Sequence, residues 1–361
     1  MRSYRLAVKM LAFGLLCQCG AVGGTPTARG QAMIAWDDAT SQSYADGWQA
    51  GDDGGFGFEP WEFSHFFQAE FSAYDESQFI ATNAHVDIPA AGPAFGLTNA
   101  NRPFWGYTAW TTRPLSSPLL SGQTFSIDVD NPLLVPLAEF DYPGIFIQMR
   151  DDENREMLTL LAESGYNDDG WTLFDAGAGG RLLGLSTAET ADGGMHLELQ
   201  IVSPGMFELI ATPLAGGNEV VLSGGFKHPD SRVHSVSIVM YSNGSAADGS
   251  REFYFNHLQV TGPLPGDANL DGVVDGIDFN RWNAHRGKLN ATWADGDFND
   301  DQRVDGLDFV IWNEHRFQSV GEAAVLPEPT SPVAWWLMAA AATLRHRRRS
   351  GRGNRELHAA Q

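Results

Sequence analysis

Asp267-Ala-Asn-Leu-Asp-Gly-Val-Val-Asp-Gly-Ile-Asp278 and Asp297-Phe-Asn-Asp-Asp-Gln-Arg-Val-Asp-Gly-Leu-Asp308 are two copies of one twelve-residue segment, thirty residues apart. Each copy precedes a run that predicts a short helix, at residues 279–286 and 309–316. When Gly266 is aligned on Gly296, 13 of 22 positions are identical. This duplication predicts a small module of two loop–helix units, at residues 263–320.

Oxygen-bearing groups recur in both copies at positions 1, 3, 5, 7, 9 and 12, the spacing with which a calcium loop supplies its ligands. Calcium accepts six to eight such oxygens in a flexible arrangement. The sequence therefore predicts two bound calcium ions. Their ligands, with a backbone carbonyl at position 7, would be Asp267, Asn269, Asp271, Val273, Asp275 and Asp278 in loop one and Asp297, Asn299, Asp301, Arg303, Asp305 and Asp308 in loop two.

Position 6 distinguishes the two loops, because the chain turns there with a positive φ that glycine adopts at little cost. This position is Gly272 in loop one and Gln302 in loop two. A side chain in that conformation costs roughly 1 kcal/mol. We therefore expect loop two to bind its ion more weakly.

A duplicated loop followed by one helix, with Asp at position 12, resembles the type I dockerin repeat. The resemblance implies an all-α calcium module that binds a cohesin-like protein, with partner choice set partly at loop positions 10 and 11. It thus points to Ile277 and Leu307 as partner-binding residues. Trp282 and Trp312 would form the core between the two helices or, as an alternative, contact the partner. An acidic, glycine-rich linker is the alternative reading of the whole stretch.

The N-terminal residues 1–32 read as a secretory signal peptide. Basic residues precede an apolar run at 10–16, and small residues follow it up to a predicted cleavage site at Ala32, with an earlier cut near residues 20–24 as an alternative. Cys17 and Cys19 are the two cysteines of the chain, so the exported protein would contain no disulfide.

The C-terminal residues 326–349 contain Leu-Pro-Glu-Pro, an apolar run and an arginine cluster, and a polar tail follows at 350–361. This order resembles the PEP-CTERM sorting signal, which implies an exosortase-type protease as partner and transient anchoring in a membrane. The apolar run is shorter than the ~20 residues that span a bilayer, and a buried terminal helix is the alternative. We expect the protein at the cell surface or outside the cell.

The formal net charge of −22 indicates that the protein repels nucleic acid and anionic lipid. Such a charge is compatible with a calcium-rich exterior and with neutral or cationic polymers. Nucleic acid is therefore not an expected partner.

Residues 33–262 contain short alternating apolar and polar runs separated by turn residues, such as Phe125, Ile127 and Val129. Seven or more such runs predict a mainly β fold, an antiparallel two-sheet sandwich of the jelly-roll type. A concanavalin-like form is expected by analogy with secreted carbohydrate-active domains. The opening of this domain, together with the repeats and the tail, resembles exported planctomycete-type surface proteins. This resemblance implies an architecture and a location but no activity.

Candidate ligand sites in this domain are weaker. Exposed aromatic rings can stack on sugars, and Trp105, Tyr107 and Trp110 lie in a Pro- and Asn-rich stretch that we read as a loop. Trp48 and Trp61 are further candidates, and a role in the core is the favoured alternative for all five. The turn at residues 52–55 is a candidate calcium site.

Evidence for catalysis is limited to a partial match to the paired carboxylates of glucanases, at Glu139 and Asp141. His196 and Glu198 share one strand face, and His234 and His257 are isolated in the sequence. The leading hypothesis is thus a non-catalytic exported protein with a glycan-associated sandwich and a calcium-dependent interaction module. The alternatives are a polysaccharide-degrading hydrolase or lyase with a non-standard site, and a purely structural matrix component.

Overall fold

The computed structural model describes residues 31–66, 78–82, 88, 92–98, 107–130, 144–163, 170–177, 179–190, 193–242 and 252–319. They form two antiparallel β-sheets that pack face to face, followed by a small unit with two helices. The predicted class, a mainly β antiparallel sandwich with a small helical module after it, is confirmed. The signal segment, the sorting segment and the polar tail lie outside the described residues, apart from the last two signal residues. No helix in the described ranges is both long and apolar enough to cross a membrane.

The strands are β1 (Gln31–Asp37), β2 (Glu62–Phe66), β3 (Gln78–Ala81), β4 (Ala94–Thr98), β5 (Tyr107–Pro114), β6 (Thr124–Asp130), β7 (Gly144–Arg150), β8 (Glu156–Glu163), β9 (Gly170–Phe174), β10 (Arg181–Ser186), β11 (Met195–Ser203), β12 (Met206–Pro213), β13 (Val220–Gly225), β14 (Ser235–Ser242) and β15 (Glu252–Pro263). The helices are α1 (Thr187–Thr190), α2 (Gly276–His285) and α3 (Gly306–His315). Two short 3₁₀ turns, Gln42–Tyr44 and Trp293–Asp295, complete the described elements.

The first sheet has the order β13-β12-β11-β6-β15-β4-β3, and β1 pairs with β15. The second sheet has the order β10-β9-β8-β7-β14-β5-β2. β15 is the longest strand, and it pairs with β6, β4 and β1. β1 begins two residues before the predicted start of the domain, because Gln31 and Ala32 pair with Pro263 and Gly262.

The core lies between the sheets and follows from the alternation of the strands. On β11 the buried residues Leu197, Leu199 and Ile201 alternate with partly exposed polar residues. Trp48 and Trp61 are buried in this core with their rings 5.0 Å apart. Their expected structural role is therefore confirmed.

The helical module is built from two matching halves. Asp275 and Asp305 cap α2 and α3 through capping boxes, which is why the helices begin three residues earlier than predicted, at Gly276 and Gly306. The rings of Trp282 and Phe309 lie 5.1 Å apart across the two helices. Together with Phe279 and Trp312 they form the interhelical core, as expected from the sequence.

The module follows β15 with almost no linker. Leu264, the residue after the strand, is buried together with Ala32 of β1 and Val274 of loop one, and Trp312 packs against this cluster. The module is thus packed against the end of the sandwich where β1 and β15 pair.

Candidate metal centre

Each acidic loop is shaped by hydrogen bonds from its own backbone. In loop one, Asp267 accepts from Gly272 N at 2.8 Å, and Asp278 accepts from Ala268 N at 3.0 Å and from Asp275 N at 2.7 Å. Backbone N–H groups of the loop therefore hold the carboxylates at positions 1 and 12 in place. Loop two repeats this arrangement with Asp297 and Asp308.

The turn of each loop needs backbone conformations in the left-handed region. At position 4, Leu270 and Asp300 have φ of 58° and 56°, and at position 6, Gly272 and Gln302 have φ of 85° and 65°. The predicted positive φ at position 6 is therefore present in both loops. In loop two the residue with this positive φ is Gln302, which carries a side chain, so the conformation costs roughly 1 kcal/mol.

Four carboxylates of the loops are buried: Asp267, Asp278, Asp297 and Asp308 are each 1% exposed or less. The donors described for them are all backbone N–H groups. Burial, and then the charge of Asp308, raises the pKa of Asp297 to about 6. Burial likewise raises the pKa values of the other three. These buried carboxylates have no basic side chain among their described partners. A bound cation would therefore lower the energetic cost of burying their negative charge.

The donor set of each loop suits calcium, because it consists of carboxylate, amide and carbonyl oxygens and contains no nitrogen or sulfur ligand. Within the described ranges, no three His, Cys, Asp or Glu side chains are gathered into a metal-binding cluster. The more exposed carboxylates turn instead to nearby N–H groups, as Asp271 does to Val273 N and Asp275 to Ile277 N. The ligand types and their order along the loop fit the ion.

The two halves of the module are linked by their tryptophans. Trp282 on α2 donates from Nε1 to the carbonyl oxygen of Asp305 in loop two at 2.8 Å. Trp312 on α3 donates in the same way to Asp275 in loop one at 2.9 Å. Each helix therefore supports the loop of the other repeat at position 9.

Apolar side chains on the module face solvent. Ile277 and Leu307, the predicted partner-binding residues, are 52% and 62% exposed at equivalent positions of the two repeats. Val310 and Phe317 are also exposed. Surface at these positions is available to a partner.

Two of the three candidate glycan-stacking residues lie on a strand and not in a loop. Trp105 lies outside the described residues. The loop expected around the other two was wrong: Tyr107 and Trp110 belong to β5, which pairs with β14 and β2. Trp110 lies on the outer face of the second sheet, where the Arg150 guanidinium is 4.6 Å from its ring centre.

The turn at residues 52–55, the weaker calcium candidate, contacts an arginine. The guanidinium of Arg113, which is fully buried, donates to the carbonyl of Gly54 at 2.7 Å and is 2.9 Å from Asp37 Oδ2. It also donates to the carbonyls of Asp52 and Glu59. Backbone carbonyl oxygens of this turn are thus already used by a cation of the chain itself.

A cluster of ionisable groups on the outer face of the first sheet could not be found from spacing alone. Asp128 on β6 contacts Nδ1 of His196 on β11 at 2.5 Å and Nδ1 of His257 on β15 at 2.7 Å. Glu198 Oε1 lies 3.5 Å from His196 Nε2. His196 lies directly opposite Asp128 in the strand register, and His257 lies at a bulge with φ of 52°.

The cluster shifts the pKa values of its members. Burial alone would raise the pKa of Asp128, but hydrogen bonds from the two histidines outweigh burial and lower it to about 2. Hydrogen bonds to Asp128 and Glu198 raise the pKa of His196 to about 9. The pKa of His257 is raised by Asp128. Glu139 and Asp141, the candidate catalytic carboxylates, lie outside the described residues.

No protein-family model matches the chain, and no curated protein matches its sequence. Similar solved structures include a GH131 β-glucanase catalytic domain from Podospora anserina (12% identity, 61% of this chain and 90% of that one, TM-score 0.39). They also include lectin I-B4 from Griffonia simplicifolia (8%, 53% and 95%, 0.31) and a protein of unknown function with a galectin-like fold from Bacillus subtilis (9%, 65% and 99%, 0.35). TM-scores this low do not carry the activities of those proteins over to this chain.

Proposed function

We propose that the chain is an exported, non-catalytic protein whose C-terminal module binds two calcium ions and attaches the β-sandwich to a cohesin-like protein. The observation that carries the proposal is the pair of acidic loops with buried carboxylates. Asp267, Asp278, Asp297 and Asp308 are shielded from water, and their described partners carry no positive charge. Two such loops in one small module favour a calcium-dependent fold.

In loop one the ligands would be the side chains of Asp267, Asn269, Asp271, Asp275 and Asp278 and the carbonyl of Val273. In loop two they would be Asp297, Asn299, Asp301, Asp305, Asp308 and the carbonyl of Arg303. When bound, calcium supplies positive charge that offsets the negative charge of the four carboxylates in loop one and of the five in loop two. The chain's own part is to hold positions 1 and 12 by backbone N–H groups and to cap each helix with the residue at position 9.

Partner binding would use the exposed apolar residues Ile277 and Leu307. Burying such side chains against a partner is favourable at about 25 cal/mol per Å², and their equivalent placement in the two repeats agrees with the dockerin resemblance. We also propose export through residues 1–32 and sorting at the cell surface by an exosortase-type protease acting on residues 326–349.

A polysaccharide is the proposed ligand of the sandwich, with Trp105, Tyr107 and Trp110 as the first residues to test. The second candidate function is polysaccharide cleavage by a non-standard site. It is favoured by one observation, the Asp128, His196 and Glu198 cluster, which places two carboxylates and an imidazole side by side on an outer sheet face.

Calcium titration of the full chain, stripped of metal with a chelator and followed by calorimetry, tests the central proposal. We expect two ions per chain, one lost in Asp271→Asn and the other in Asp301→Asn. The matched control is Asp152→Asn, which removes an exposed carboxylate from the sandwich and should keep both sites. A chain that takes up no calcium would refute the proposal.

The partner is tested with immobilised recombinant cohesin domains in the presence of calcium. Binding should be lost in Ile277→Asp with Leu307→Asp and retained in Val202→Asp, where an equally exposed apolar residue of the sandwich is changed. Glycan-array binding without release of reducing ends would support the non-catalytic role. Release of reducing ends that disappears in His196→Asn would favour the enzyme.

A further inference from the structure

The second calcium loop is in contact with the sandwich. The hydroxyl of Ser121 donates to Asp300, at position 4 of loop two. Arg232 donates to the backbone carbonyl of Asn299, at position 3. Ser121 lies in the turn before β6 and Arg232 in the connection before β14, and these two segments are joined by a hydrogen bond from Leu119 N to Val233 O at 2.9 Å.

Loop one provides an internal comparison. Its position 4 is Leu270, which is 45% exposed and has no side chain that could accept a hydrogen bond. Its position 6 is Gly272, which adopts the required turn readily. Loop two has Gln302 at position 6 and is held from outside by the sandwich. Among the described contacts, the loop with the less favourable turn residue is therefore the one whose turn accepts hydrogen bonds from the sandwich, whereas loop one meets the sandwich through the apolar side chain of Val274.

The charges are compatible with this support. Loop two contains five carboxylates, so a bound dication would leave it negative, and the Arg232 guanidinium would remain attracted to it. The apolar cluster of Ala32, Leu264 and Val274 also joins the module to the sandwich. The contacts of loop two are thus part of the interface between the module and the sandwich.

We propose that loop two is a composite calcium site whose affinity depends on the sandwich. Ser121 and Arg232 hold Asn299 and Asp300 in the conformation that the loop must adopt around its ion, and this support offsets the strain at Gln302. Calcium binding at loop two and docking of the module on the sandwich then strengthen each other, because coupling between two equilibria is reciprocal. This inference rests on the calcium module proposed above.

Calorimetric titration of the full chain with calcium tests the composite site, with Asp271→Asn and Asp301→Asn used to assign the two binding steps. Ser121→Ala should lower the association constant of loop two by about fivefold and leave loop one unchanged. Ser121→Thr keeps the hydroxyl and should keep the affinity. Adding Gln302→Gly to Ser121→Ala should restore binding at loop two, since glycine removes the strain.

Hydrogen exchange measures the reciprocal effect. Calcium should slow exchange of the backbone amides at residues 119–123 in the unmodified chain and leave them unchanged in Asp301→Asn. Two calcium sites that do not respond to Ser121→Ala would overturn the composite site and leave the calcium module standing. A chain without any calcium binding would overturn both.

Discussion

The buried guanidinium of Arg113 ties the N-terminal part of the sandwich to β5, and replacing it with methionine removes the charge while keeping a long apolar side chain. The guanidinium pairs with Asp37 of β1 at 2.9 Å and donates to carbonyls of the segment between β1 and β2. It also lies 5.1 Å from the ring centre of Trp61. Arg113→Met would therefore disconnect β1 and this segment from β5 at one point.

The expected loss of stability follows from the contacts that Asp37 would keep. Its side chain is fully buried, and the donors described around it would then be the hydroxyl of Tyr44, at 2.6 Å, and the indole of Trp61. Removing one partner of a buried ion pair costs about 3–5 kcal/mol. The carbonyls that lose a donor add to this, but their costs overlap with relaxation of the same site. We expect Arg113→Met to lower the free energy of unfolding by about 4 kcal/mol, a large part of the ~5–15 kcal/mol typical of a domain.

Urea unfolding at pH 7.5 with saturating calcium, followed by tryptophan fluorescence, measures this change. If the cost arises from the unpaired carboxylate, Arg113→Met combined with Asp37→Asn should recover about 2 kcal/mol, because no charge is then left buried. Arg113→Lys, which keeps the charge and loses the planar fork, should lie between the two. An Arg113→Met chain within 1 kcal/mol of the unmodified protein, or a double variant no more stable than the single one, would refute this reasoning.

Two further predictions concern the module and the histidine cluster. Trp282→Phe removes the hydrogen bond to the carbonyl of Asp305 and should weaken calcium binding at loop two about tenfold. Trp312→Phe should have the same effect at loop one, so each substitution affects the loop of the other repeat. Calorimetric titration of both variants checks this pattern, and an effect on the loop of the same repeat, or an equal effect on both loops, would contradict it. The raised pKa values of His196 and His257 mean that the folded state binds their protons more tightly than the unfolded state does. This contribution to stability is complete below pH 6.5 and is lost as the pH rises above it, for His196 through its folded-state pKa of about 9. Urea unfolding between pH 6 and 9 should show this decline, and His196→Gln should flatten it; a flat profile in the unmodified chain would count against the cluster.

The module could be predicted closely from the sequence because its information is local. Each loop carries its proposed calcium ligands within twelve residues, and the interhelical tryptophans recur with the repeat. The helices begin three residues before the predicted starts, because Asp275 and Asp305 act as capping residues in addition to being candidate metal ligands. The contact of loop two with Ser121 joins residues 179 positions apart and has no local signal.

The sandwich was predictable as a class because period-two alternation needs only the residues of each strand. Strand pairing was not predictable, and with it the meeting of His196, His257 and Asp128 from three strands. The loop reading around Trp110 failed for a different reason. Apart from Pro114 at the end of β5, the Pro and Asn residues that suggested it lie before Tyr107, whereas residues 107–112 are rich in the threonine and aromatic side chains that favour strands. The turn at residues 52–55 contacts Arg113, which lies some sixty residues away and leaves no local signal in the sequence of the turn.

The junction between β15 and the module determines how a mechanical load would enter the sandwich. A partner that pulls on the module pulls on Pro263 and hence along β15, which is hydrogen-bonded to β6 on one edge and to β4 and β1 on the other. Bonds in such ladders lie across the direction of pull, so they resist together and are not opened one after another. The module is thus attached to a strand that is paired along both edges, so under the proposed function a load on the module would be shared among three neighbouring strands.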